Sequence, residues 1–130
     1  MDPTRITGLR FFEATSPLSR PIADATHQIP GIRFVIARVT LANGIVGEGY
    51  LLAFHFQPQT LRAALLEIGA IAVGRSAAAT DEFNHACDNE SEYLGHSGLL
   101  RWARAVVNIA MWDAQARHQV VPVWKLLGPT

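Results

Sequence analysis

Apolar residues at every second position predict a β-strand over residues 33–41. Alternate side chains, from Val35 to Leu41, fall on one side of an extended chain, which is the pattern of a strand with one buried face. Asn43-Gly44 follows, and a second β-compatible run covers residues 45–52. Asn-Gly between two such runs indicates a tight hairpin, because both residues tolerate positive φ. The pattern therefore predicts two antiparallel strands.

Two glycines, Gly47 and Gly49, lie inside the return strand of this hairpin. Glycine weakens a strand because it has no side chain to pack, so its presence there needs a reason. The sequence leaves two reasons open, which are a β-bulge and the close approach of another backbone segment.

A less regular apolar mixture over residues 5–15 predicts the first strand, and the stretch after it has no period. Pro17, Pro21 and Pro30 bracket residues 22–29, so we expect a long loop there. Ordered loops of this length are commonly lids or binding loops, which makes this segment a candidate for function.

After Pro58 the apolar spacing becomes helical. We expect a first helix over 61–71 that ends at Gly74, and a second from the N-cap Thr80 to about Tyr93. The third, residues 99–118, begins after Gly98, and Pro122 suits the first position of a short final turn through Leu127. One stripe of the third helix carries Leu99, Trp102, Val106, Ile109, Ala110 and Asp113.

Strands followed by helices predict an α+β domain, with a three-stranded antiparallel meander covered on one face by three to four helices. The 130 residues and an apolar fraction of 49% suit a single domain over residues 1–130. Eleven basic residues balance eleven acidic ones, which argues against nucleic acid or a membrane surface as partner. The single Cys87 allows no disulfide within the chain, so we expect it to be buried on a helix in a cytoplasmic protein.

The residues themselves indicate no catalytic machinery and no metal site. Phosphate-binding glycine motifs and zinc spacings are absent from the sequence. His55, between Phe54 and Phe56, could present an apolar and hydrogen-bonding surface to a ligand, although the two phenylalanines suit a core equally well. Asp113 has Arg117 four residues later, so a helix salt bridge explains it better than a catalytic acid.

Residues 105–113 and 122–128, with the hairpin over 39–49, resemble the N-terminal capping domain of the mandelate racemase and muconate lactonizing branch of the enolase superfamily. Residues 6–10 and 50–51 look most like the mandelate racemase group within that branch. The resemblance covers nearly the whole chain and implies an enolase N-terminal-like fold.

The resemblance also implies a function. In this family the capping domain closes the mouth of a TIM-like barrel, which is absent from this chain, and two mobile loops select the distal group of a small carboxylate substrate. Those loops correspond to residues 18–32 and 51–56, with Ile22, Ile29, Phe54 and His55 as the substrate-binding residues. The barrel would hold the acids, the bases and Mg²⁺ for racemisation or dehydration by proton abstraction next to the carboxylate.

This chain alone would then carry no catalytic residue and no metal ligand, and the enzyme would be the parent protein, a racemase-like isomerase or an acid-sugar dehydratase. Its partners would be the barrel domain of the same protein, the substrate and further copies in a homo-oligomer. The alternative is a freestanding, non-catalytic binding or assembly domain of the same fold.

Overall fold

The computed structural model describes residues 1–53 and 58–128. Three strands form one antiparallel sheet in the order β1-β2-β3, and four helices follow, which confirms the predicted α+β meander. The strands are β1 (Ile6–Ala23), β2 (Gln28–Leu41) and β3 (Val46–Leu52); the helices are α1 (Pro58–Ala72), α2 (Thr80–Glu90), α3 (Leu99–Gln119) and α4 (Val123–Leu126).

The core lies between one face of the sheet and the helices α1 and α3. Val35, Ala37, Val39 and Leu41, the alternating residues of β2, are all buried there, as the sequence predicts. The turn between β2 and β3 is also as predicted, since Gly44 has a φ of 84° and its amide donates to the Leu41 carbonyl at 2.9 Å.

Gly47 and Gly49 mark the close approach of α3 to β3, rather than a bulge. The register between β2 and β3 runs without interruption along the whole of β3. A Cβ atom on Gly47 would overlap the Ala114 backbone nitrogen, and one on Gly49 would overlap the Val106 carbonyl oxygen. Two residues of a strand span about 6.6 Å along its axis, and four residues of a helix span about 6 Å. Small residues two apart in β3 can therefore lie opposite small residues four apart in α3.

The predicted buried stripe of α3 is wrong in part. Trp102 is 37% exposed and Ile109 is 50% exposed. The residues that face the core are mostly small: Ala103, Val106, Val107, Ala110, Met111 and Ala114. Because the helix backbone lies almost against Gly47 and Gly49, the α3 residues opposite these glycines are small and Ile109 remains at the flank.

The predicted long loop is also wrong, since β1 and β2 continue through it as a paired ribbon. Ile22 lies opposite Ile29, and only residues 24–27 connect the strands. The prolines are accommodated by an irregularity in which the four residues from Leu18 to Pro21 lie opposite Pro30 alone. Neither face of this ribbon is covered, so its residues need no apolar alternation and the sequence shows none.

The helix boundaries need smaller corrections. Thr80 is the first residue of α2 and is buried, whereas Ala79 occupies the N-cap position without any side-chain capping bond. The helix ends at Glu90, before the predicted Tyr93. Gly98 precedes α3 as predicted, and Pro122 occupies the N-cap position of α4 instead of its first turn.

Candidate functional site

The end of the β1–β2 pair projects from the core as a two-stranded ribbon, residues 14–33. No residue in this range is buried. A two-stranded hairpin without a covered face is marginally stable, so the ribbon depends on its backbone bonds and on the sheet from which it extends. A segment of this kind can present side chains to a ligand without disturbing the core.

The ribbon carries the two isoleucines that the resemblance marks as substrate-facing. Ile22 and Ile29 are directly opposite each other across the ribbon, so their side chains share one face. Ile22 is 51% exposed and Ile29 is partly buried. The structure thus brings these two predicted residues together as one apolar pair close to the tip.

The tip of the ribbon is closed by Asp24. Its carboxylate accepts hydrogen bonds from the backbone amides of Thr26 at 2.8 Å and His27 at 2.7 Å. Because these donors favour the ionised form, the pKa of Asp24 falls to about 2. This turn was not predicted from the sequence, although an aspartate followed two residues later by threonine is a known turn-forming pattern that could have indicated it.

The second predicted loop begins beside the root of the ribbon. The backbone amide of Ala53 donates to the carbonyl of Arg33 at 2.9 Å, and Ala53 is buried. The predicted site residues Phe54 and His55 come directly after it and lie outside the described residues. The two loop segments inferred from the resemblance therefore start at the same end of the sheet.

An apolar surface, here named the outer sheet face, lies next to this root on the side of the sheet away from the buried β2 residues. It consists of Phe12, Phe34, Ile36, Tyr50 and Leu52, which the strand register places in two adjoining rows. The rings of Phe34 and Tyr50 are 5.7 Å apart in an edge-to-face arrangement, and Tyr50 is 62% exposed. Antiparallel sheets usually turn a polar face to water, so this face suits contact with another body.

Asp113 has a structural role. Its Oδ2 atom accepts from Arg117 Nε at 2.8 Å, which confirms the predicted i,i+4 pair. The same oxygen accepts from the backbone amide of Glu48 at 2.8 Å, a contact between distant residues that no sequence pattern indicated. Asp113 thereby ties α3 to the free edge of β3.

The described residues do not fit a metal site. Across residues 1–53 and 58–128, no three His, Cys, Asp or Glu side chains come together in a way that could hold an ion. Within the same ranges, no helix has the length and apolar character needed to cross a membrane.

Comparison with known proteins links this geometry to one family. The sequence profile of the mandelate racemase / muconate lactonizing enzyme N-terminal domain matches residues 6–128. The L-talarate/galactarate dehydratase of Salmonella typhimurium is 25% identical over 130 residues, which cover 95% of this chain and 33% of that enzyme.

Solved structures show the same relationship. An enolase from Bradyrhizobium, complexed with magnesium and mandelic acid, has a TM-score of 0.84 and 28% identity, over 95% of this chain and 34% of its own. An L-talarate dehydratase from a Polaromonas species, complexed with Mg and L-glucarate, has a TM-score of 0.85 and 25% identity, over 97% of this chain and 35% of its own. The chain spans about a third of the length of the relatives that it matches.

Proposed function

Because the chain belongs to the mandelate racemase / muconate lactonizing enzyme family, as an example of its N-terminal domain, we propose that it caps the barrel domain of a larger enzyme. The observation that carries this proposal is the ribbon, which projects uncovered from the core and whose root is hydrogen-bonded to the start of the second loop. Two segments that leave a rigid sheet at one end can close over the same opening.

The reaction of the parent enzyme is the abstraction of a proton next to a carboxylate, leading to racemisation or dehydration. Mg²⁺ held by the barrel would stabilise the negative charge that develops on the substrate. The part of this chain is to exclude water and to hold the distal end of the substrate. Structures of relatives hold mandelic acid or L-glucarate, so both an aryl-substituted and a polyhydroxylated ligand occur among proteins of this fold.

The substrate-binding residues proposed here are Ile22, Ile29, Phe54 and His55. The cross-strand pair of Ile22, which is exposed, and Ile29, which is partly buried, would form an apolar wall, and the apolar character of Phe54 agrees with it. A wall of this kind favours a substrate with an apolar distal group over one rich in hydroxyl groups, because hydroxyl groups would lose their bonds to water without gaining a partner.

The test is to replace Ile22 and Ile29 by alanine in the parent enzyme. We expect kcat/KM for an aryl-substituted hydroxy acid to fall about 10- to 200-fold, since an apolar contact made with the substrate contributes roughly 1–3 kcal/mol to discrimination. The activity towards an aldaric acid should change much less. Phe54→Ala should act in the same direction.

The matched control is Leu66→Ala, because Leu66 is 57% exposed on α1 and Ile22 is 51% exposed on the ribbon. This variant should leave both activities unchanged. Neither Ile22→Ala nor Leu66→Ala should alter the free energy of unfolding by more than about 0.5 kcal/mol, as is usual for exposed positions. An Ile22 and Ile29 variant with unchanged substrate preference would contradict the proposed contact.

A further inference from the structure

An apolar groove on the helices has the size of a ligand site and carries charge of one sign. It runs between α1 and α2 and has a volume of about 400 Å³, which is in the range of sites that take a small molecule. Its apolar lining comes from three helices and from the turn after α2: Ile68, Ala70, Ile71, Cys87, Leu94 and Leu100. Ile68 and Cys87 are buried, whereas Leu94 is 74% exposed. The groove therefore has a buried floor and an apolar wall that is open to water.

The charged residues of the groove lining are two glutamates. Glu67 belongs to α1 and Glu90 to α2, so each of these helices contributes one carboxylate. Within residues 1–53 and 58–128, neither carboxylate takes part in an ion pair or a side-chain hydrogen bond. Both carboxylates are thus available to a ligand in the groove.

The C-terminal end of α2 adds to the negative potential of the groove. Glu90 is the last residue of this helix, and the last turn contains no basic residue. Backbone carbonyls give the C-terminus of a helix a partial negative charge, which an acidic side chain at the same end increases. Charges of one sign beside apolar walls attract counter-ions into a cleft. The groove therefore favours a cation with an apolar body.

The neighbouring basic side chains do not line the groove. His96, Arg101 and Arg104 line a smaller depression that shares Leu100 with it. This depression has a volume of about 10 Å³, roughly the space that one water molecule needs, so it is too small for an organic anion. Arg104 and His96 both pair with Asp88. Of these two adjoining spaces, the one that can hold an organic molecule is the acidic one.

We propose that the groove binds a primary amine with an apolar body. The ammonium group supplies three donors to the unpaired carboxylates of Glu67 and Glu90. The body covers Leu94 and displaces water from the apolar lining. This site is separate from the proposed capping role, since no residue of the ribbon lines the groove.

The sign of the charge is tested by calorimetry on the 130-residue chain, with three probes that share one apolar body: phenylbutylamine, phenylbutanol and phenylbutyrate. We expect the amine to bind about tenfold more tightly than the alcohol, because its hydrogen bonds join two charged groups. The carboxylate should bind more weakly than either, since it meets two charges of its own sign.

The preference for the amine should disappear when both Glu67→Gln and Glu90→Gln are introduced, which leaves the shape of the groove nearly unchanged. Glu92→Gln is the matched control, because Glu92 is exposed and does not line the groove, and it should keep the preference. Circular dichroism and the melting temperature verify that each variant is folded.

The position of the site is tested independently of charge. Ala70→Phe places a ring in the groove and should weaken the binding of the amine by about tenfold or more, as for the loss of a well-packed apolar contact. Ala63→Phe, at another exposed alanine of α1 that lies outside the groove, should leave binding unchanged.

Three outcomes would overturn the proposal. The first is an amine that binds no more tightly than the alcohol, or no binding of the amine at millimolar concentration. The second is a preference for the amine that survives the loss of both carboxylates. The third is binding that Ala70→Phe leaves unchanged, since the amine would then lie outside the groove.

Discussion

The two halves of the β1–β2 pair use the same backbone pairing and differ in what covers them. Near the turn to β3, the strands lie under α1 and α3, and alternate residues of β2 from Val35 to Leu41 are buried. In the ribbon, residues 14–33, no side chain is buried. The first half therefore supplies stability, whereas the second can change its side chains with little cost to the fold. One pair of strands thus separates the stable support from the surface that we propose meets a ligand.

The largest expected effect is in the covered half. Gly49→Ala places a methyl group against the Val106 carbonyl and the backbone of Ala110, atoms that cannot turn aside. We expect a loss of about 3 kcal/mol in the free energy of unfolding, at the upper end for overpacking. Gly8→Ala is the control, since a Cβ there meets nothing within 4 Å. Equal denaturation midpoints for the two variants would show that α3 does not depend on this approach.

A smaller effect is expected where α3 holds the edge of the sheet. Asp113→Ala removes the acceptor of the Glu48 amide and of Arg117, and should cost about 2 kcal/mol, as for hydrogen bonds to a charged group. Arg117→Ala removes only the exposed ion pair and should cost about 0.3–0.5 kcal/mol. Denaturation in urea measures both. If both variants lose the same amount, the bond to β3 contributes nothing.

The smallest expected effect on global stability is at the ribbon tip. Asp24→Ala should leave the melting temperature unchanged and accelerate amide hydrogen exchange at Thr26 and His27, whose amides it releases. The pKa of Asp24 is depressed to about 2 from 3.8, so the contribution of its carboxylate to the turn is present above pH 3.8 and is lost as the pH falls through about 2.

The acid dependence at the tip is measured by NMR of the two amides from pH 5 to well below pH 2, so that the titration of Asp24 is followed to its end. Their bonds to Asp24 should weaken together over this range, while the amide of Ala53 at the root should not respond, because its acceptor is the Arg33 carbonyl. A tip that stays unchanged well below pH 2, where Asp24 is protonated, would mean that backbone pairing alone holds the ribbon closed.

The sequence by itself was sufficient to predict those features in which a residue pattern reflects a local contact. The alternation from Val35 to Leu41, the Asn43-Gly44 turn and the pair of Asp113 with Arg117 were each predicted and confirmed. Cys87 is buried on α2 as predicted, and burial raises the pKa of its thiol to about 11. Some of these features depend on residues that are close together in the chain. The others depend only on which side of a single strand or helix is buried.

Only the tertiary structure decided which surface of α3 is buried and that the segment after Ala14 is a ribbon. The glycines that let α3 approach β3 lie on a different element, so the periodicity of the helix does not show which of its residues face them. The ribbon is held by backbone bonds between strands, to which every residue except proline can contribute both a donor and an acceptor. A hydrophobic pattern forms where a side chain is buried, and the ribbon buries none.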